Sequence, residues 1–136
     1  MSIEFKGLEE VLESLDNLAD MANYSRGLDK ACAIVERSAK QKAPKGTGEL
    51  RRSITSEVNG LEGKVYTPLE YAPYVEYGTG LFAENGGRQD VPWNYKDDVG
   101  EWHSTSGMKP QPYMRPALNE NREEILRVIK EAMSND

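Results

Sequence analysis

Between Leu8 and Met21 the apolar residues fall at Leu8, Val11, Leu12, Leu15, Leu18 and Met21. That i, i+3, i+4, i+7 series is one stripe of an amphipathic helix, with Glu9, Glu10, Glu13 and Asp16 on the other side. Ahead of it, Ile3-Glu4-Phe5 alternates as a short strand does. A second helix is predicted from a cap at Asn23 or Ser25, with Leu28, Ala31, Cys32, Val35 and Ala39 as its inward stripe. It ends at Ala43, because a residue before proline (here Pro44) is held away from helical geometry.

Past the turn Lys45-Gly46-Thr47-Gly48, where Thr47 can cap a short helical turn through Glu49, Leu50 and Arg51, the period changes from 3.6 to 2. Ile54, Ser56 and Val58 share one face of a strand, and Thr55 and Glu57 the other. Asn59 to Gly63 is loop chemistry, and Lys64 to Thr67 is a natural return strand. A hairpin alone is marginal, so its apolar face needs the second helix lying across it. In the stretch Tyr71 to Gly80, tyrosines recur at 71, 74 and 77. Pro73 suits the opening of a helical turn there, and Gly78 its positive-φ stop. Tyr74, Glu76, Tyr77, Gly78 and Thr79 are therefore expected to form a structural hinge, with Glu76 held as hydrogen-bonded structure.

Leu81 to Val91 contains Asn85-Gly86-Gly87 and little to bury, which predicts a mobile loop. Asp97-Asp98-Val99-Gly100 then fits a type I turn with glycine in the left-handed slot, the three-residue hairpin loop. The expected register sets Lys96 opposite Glu101, Tyr95 opposite Trp102, Asn94 opposite His103 and Trp93 opposite Ser104. One face would then carry Trp93, Tyr95 and Trp102. Gly107 to Pro112 favours an extended, polyproline-like path. Pro116 can open a last helix with Leu118, Ile125, Leu126, Ile129, Ala132 and Met133 on one face, and residues 134–136 should fray. The elements add up to an α+β fold: a small antiparallel sheet packed by two or three helices, with a protruding aromatic β-hairpin. Residues 1–136 read as a single domain, with a scaffold at about 1–80 and 108–136 and a loop and arm at about 81–107.

Composition narrows the chemistry. A hydrophobic fraction of 38% is on the polar side for 136 residues, so burial is expected to be completed against partner subunits. No apolar run reaches the roughly 18 residues of a membrane span, and the start of the chain lacks the pattern of a signal peptide. Cys32, the single cysteine, sits among Ala31, Ala33 and Ile34 as a small core hydrophobe, and one cysteine fits a reducing compartment. The net charge of −6 is uneven: residues 37–52 hold six basic residues against Glu49. That block is a candidate nucleic-acid patch, or else a solvated helix end complementing the helix dipole.

Candidate catalysis is thin. One histidine, His103, and one cysteine on different elements do not make a zinc site, and no cofactor motif is present. His103 and Ser104 are neighbours on a strand and diverge to opposite faces. Glu76 with Glu70 can imitate a glycosidase pair, so a virion-associated hydrolase using Glu76 is one alternative. A nucleic-acid-binding module using residues 37–52 is another. The aromatic face of Trp93, Tyr95 and Trp102 suits docking on a neighbour, since Trp and Tyr concentrate at interface centres.

Three stretches occur in a fixed order: Ala43 to Ile54 (APKGTGELRRSI), Tyr71 to Thr79 (YAPYVEYGT) and Lys109 to Leu118 (KPQPYMRPAL). Together they resemble the tail-completion, or head–tail joining, minor tail proteins of long-tailed bacteriophages and prophages. The resemblance implies a non-catalytic, cofactor-free structural protein that assembles into a homo-oligomeric ring, a hexamer, in the neck or at the head-proximal end of the tail. It implies contact with neck or head-completion proteins and with tail-tube or tail-terminator proteins, with DNA sliding through the ring without specific binding and no membrane. Pro112, Tyr113 and Arg115 of the third stretch join the hairpin residues as expected partner contacts. The implied location is the virion, after synthesis in the bacterial host cytoplasm.

Overall fold

The computed structural model describes residues 1–6, 18–46, 48–84 and 91–134. They form two compact units, one of Met1–Leu69 with Tyr113–Asp136 and the other Glu70–Pro112. The chain is α+β. The division puts the helical turn after Tyr71 in the same unit as the aromatic hairpin, not with the sheet.

In the first unit, β1 (Ser2–Lys6), β2 (Thr55–Asn59) and β3 (Glu62–Tyr66) make an antiparallel sheet in the order β1-β3-β2. Ile3 lies opposite Val65 and Phe5 opposite Gly63, while Ser56 and Val58 meet the same two residues from the other side. One face of the sheet therefore collects its apolar residues, as the alternation predicts. The other carries Glu4 and Glu57 on either side of Lys64, a favourable alternation of sign.

Helix α1 (Leu18–Lys42) crosses the apolar face, burying Leu28, Ala31, Cys32, Val35 and Ala39. Gly63 allows this approach, because a Cβ there would lie 2.7 Å from Cys32 Sγ. The expected cap at Asn23 or Ser25 is not used: α1 runs unbroken from Leu18, and Asn23 is buried inside it, accepting a hydrogen bond from Arg26 Nη2. A side chain satisfied within its own helix has no reason to terminate it. The Leu8 to Leu15 part of the predicted first helix lies outside the described residues, as does Thr47. The short helix α2 (Glu49–Ser53) is capped by Gly48 at φ 81°.

The C-terminal pattern resolves into two helices, α4 (Met114–Asn119) and α5 (Arg122–Ser134), numbered after α3 of the second unit. The break at Glu120 and Asn121 resets the helical phase, so Val128 is buried and Leu126 is exposed, contrary to the stripe drawn from the sequence. A Cβ on Gly27 of α1 would stand 3.1 Å from Ile129 Cα, so that glycine sets how closely α5 approaches.

The second unit begins with α3 (Ala72–Tyr77) and a 3-10 turn (Gly80–Phe82), followed by the hairpin β4 (Trp93–Lys96) and β5 (Trp102–Thr105). Residues 85–90 of the predicted loop lie outside the described residues. The loop's first residues are fixed: the Leu81 amide donates to the Ser106 carbonyl at 2.8 Å and the Glu84 amide to the Tyr77 carbonyl at 3.0 Å.

Candidate functional site

The hinge stretch holds the second unit together. Pro73 sits in the first turn of α3 and Gly78 ends it, with φ 83° and ψ 173°. That is the extended region open to glycine at positive φ, not the left-handed helical conformation expected. Beyond it the Thr79 amide donates to the Met108 carbonyl at 2.9 Å, the Met108 amide donates to Thr79 Oγ1 at 2.9 Å, and the Gln111 amide donates to the Val75 carbonyl at 2.8 Å. A Cβ on Gly78 would stand 2.9 Å from the Met108 carbonyl oxygen and from Pro110 Cδ. Both strands of this frame need the glycine.

Within α3, Ala72, Val75 and Glu76 are buried, whereas Tyr74 and Tyr77, and Tyr71 just before the helix, are exposed. Glu76 is fully buried and engaged with a partner. It does not face solvent as the carboxylate of a hydrolytic cleft would.

The hairpin exists, but one residue out of the expected register. Trp93 pairs with Thr105, Asn94 with Ser104, Tyr95 with His103 and Lys96 with Trp102. A one-residue slip moves a strand's side chains to the opposite face. Trp93 and Tyr95 therefore share a face with His103 and Thr105, while Trp102 stands on the other beside Lys96. The cause is the loop. Its type I turn is the predicted one, with the Gly100 amide donating to the Asp97 carbonyl and Gly100 at φ 90°. Asp97 also pairs with Glu101 through its amide, which puts three residues in the loop and displaces the Lys96–Glu101 pair.

The corrected register brings together residues the sequence reading kept apart. His103 Nε2 lies 2.6 Å from Asp97 Oδ2, and Asp97 Oδ1 accepts from the Val99 and Glu101 amides at 3.0 and 2.8 Å. His103 holds the Asp97 carboxyl below its ordinary range, assisted by those amides. The Tyr95 and His103 rings stack with centroids 5.3 Å apart. Ligand atoms of Asp97, Glu101 and His103 all fall within 4.8 Å of one another, a spacing a cation tolerates. Every oxygen of Asp97 is already used in closing the turn, so the trio is a lock on the hairpin tip. The signal in the sequence was an aspartate and a histidine flanking a five-residue tip.

The remaining expected contact residues divide. Trp93 is half-buried with its indole over Gly80, whose Cβ position would lie 2.7 Å from Trp93 Cζ3. Tyr95 and Pro112 are exposed, and Trp102 is 69% exposed. Arg115 is half-buried and engaged. Tyr113 is a core residue of the first unit, fully buried, with its hydroxyl 3.6 Å from Met1 Sδ.

Nine of the twelve exposed large apolar side chains among the described residues belong to the 43-residue second unit: Tyr71, Tyr74, Tyr77, Leu81, Phe82, Tyr95, Val99, Trp102 and Met108. The second unit thus holds most of the exposed large apolar side chains among the described residues. The first unit has a different feature. Arg37, Lys40 and Gln41 of α1 and Arg51 of α2 line a cleft of about 150 Å³. Of the basic block, Lys42 pairs with Glu120 at 2.6 Å and Lys40 with Glu36 at 4.0 Å. Neither Arg37 nor Arg51 makes an ion pair among the described residues, and the buried Arg51 Nε has no hydrogen-bond partner.

A family model, HK97-gp10-like, described as "Bacteriophage HK97-gp10, putative tail-component", matches residues 6–78. That span is more than half of the chain, and the chain belongs to this family. It takes in the first of the three stretches noted in the sequence and all but Thr79 of the second; the third, Lys109 to Leu118, lies beyond it. Neither the curated proteins nor the solved structures gave a match. The protein is thus a structural component of a phage tail, located in the virion and in contact with other tail or neck proteins. Among the described residues no helix is long and apolar enough to cross a membrane.

Proposed function

We propose that this protein is the ring-forming subunit that completes the tail, joining the neck to the tail tube of a phage or prophage. The observation that carries the reading is the number of exposed large apolar side chains in the second unit, in a chain belonging to a tail-component family. A subunit closed between neighbours buries such side chains. The ring is a homo-oligomer of six copies, bounded by a head-completion protein on one side and a tail-tube or terminator protein on the other. DNA passes through it without specific binding, which the net charge of −6 favours by keeping phosphates from sticking. The subunit is made in the host cytoplasm, and its contacts run through Tyr71, Tyr74, Tyr77, Tyr95 and Trp102.

Arg37 and Arg51, without an ion pair among the described residues, favour one competing reading, a nucleic-acid-binding module. Deleting the gene from its phage or prophage separates the two. A tail-completion protein leaves filled heads and free tails that do not join, and supplying the protein restores infectious particles. Joined heads and tails in its absence contradict the proposal.

A further inference from the structure

Two surfaces of this chain carry complementary chemistry. A shallow cleft between α1 and α2 is lined by Arg37, Lys40, Gln41 and Arg51. Its lining residues are basic with long aliphatic stems, and its volume of about 150 Å³ is about that of one side chain. The tip of the hairpin, Asp98 to Trp102, is its opposite. Val99 is 82% exposed and Trp102 69%, and the Asp98 and Glu101 side chains beside them are exposed and without an ion pair among the described residues. Lys96 next to Trp102 leaves the tip acidic, because Asp97, Asp98 and Glu101 outnumber it.

We infer that the hairpin tip of one copy docks in the Arg37–Lys40–Arg51 cleft of a second copy. The inference rests on the ring reading above and supplies the contact by which neighbours meet. Trp102 enters the cleft, where guanidinium groups lie against its ring face and aliphatic stems beneath it. Asp98 at the turn reaches the rim and takes charge-assisted hydrogen bonds from Arg37 and Arg51, and Glu101, on the face opposite Trp102, adds to the attraction at longer range.

The charge pattern points the same way over a wider area. The second unit has seven acidic against three basic residues, and residues 37–52 have six basic against one acidic. Tip and cleft are different surfaces, so the contact is heterologous. Each copy gives a tip and offers a cleft, and contacts of that kind propagate until a ring closes. A duplex is the poorer occupant: residues 1–36, with eight acidic residues against three basic, border the patch in sequence and repel phosphate.

Two charge-reversed variants test this. Arg37→Glu/Lys40→Glu makes the cleft acidic, and Asp98→Lys/Glu101→Lys makes the tip basic. All four residues lie on the surface, and circular dichroism verifies folding. Self-association is measured by mass photometry, alone and with the tail-tube protein as template. Each variant alone should associate at least ~10-fold more weakly than wild type, since like charges then face one another. An equimolar mixture should recover wild-type assembly, because every tip again finds a cleft of opposite sign. Assembly of both variants like wild type, or no recovery on mixing, overturns the tip-and-cleft contact while leaving the ring standing. Wild type that stays monomeric under both conditions overturns the ring itself. Salt-sensitive DNA binding lost in Arg37→Glu/Lys40→Glu, with assembly intact, assigns the cleft to nucleic acid and also overturns the contact.

Discussion

His103 Nε2 stands 2.6 Å from Asp97 Oδ2, so a side chain of β5 and one just past the end of β4 lock the tip of the aromatic hairpin. This pair makes tip order pH-dependent. The Asp97 carboxyl is held below its ordinary range, first by His103 and then by the Glu101 amide. A depressed folded pKa contributes order that is fully present above the unfolded value, near 3.9 for aspartate, and lost as pH falls through the folded one. NMR of the Val99 and Glu101 amides should show the tip ordered at neutral pH and loosening only in acid. In His103→Ala the loosening should begin at higher pH. Identical acid limbs in the two proteins would remove His103 from the lock.

Replacing Gly78 should be severe. Its φ of 83° is strained for any residue with a side chain, and its Cβ position is crowded by the Met108 and Phe82 carbonyls and by Pro110. Gly60 has φ 61° and nothing within 4 Å of the same position. Both variants, Gly78→Val and Gly60→Val, incur backbone strain on the order of 1–3 kcal/mol, and Gly78→Val adds the clash. Urea midpoints should fall further for Gly78→Val, and equal midpoints would show that the frame around Thr79 and Met108 yields freely.

The two tryptophans should behave oppositely. Trp93 lies over Gly80 within its unit, and Trp102 faces outward. Trp102→Ala should leave the melting temperature near wild type and block incorporation into tails. Trp93→Ala should destabilise by less than the roughly 3–5 kcal/mol of a fully buried aromatic, because Trp93 is half-buried. Thermal melts that reverse this order would contradict the observed register.

Much of the fold is legible in the sequence because single elements were long or strictly periodic. The α1 stripe, the apolar alternation of β2 and the end of α1 before Pro44 all follow from local spacing. What failed were matters of one-residue phase. The hairpin register depends on whether Asp97 belongs to the loop or the strand, and an Asp97 that pairs with Glu101 while its side chain grips His103 decides for the strand. Leu126 was misplaced because Asn121 interrupts the last helix. The basic cleft was legible as charge but not as a cleft, since Arg37 and Arg51 are brought together by the turn between α1 and α2.

Cys32 should be inert in the native protein. Burial first, then the nearby Asp29 charge, pushes its thiol up to about 11. A raised pKa contributes stability that is complete below the unfolded value of 9.0 and lost as pH rises toward about 11. A thiol-reactive dye should label the folded protein slowly at pH 8 and rapidly in urea, with stability declining on the alkaline side. Rapid native labelling at pH 8 would mean that the Gly63–Cys32 contact opens readily.

The central claim, that this tail component acts as a ring subunit, is tested most directly by its mass in solution with and without the neighbouring tail-tube protein. Alone, the chain should be monomeric or weakly associated. With the tail-tube protein present, a species holding six copies should appear. A single copy under both conditions would contradict the account.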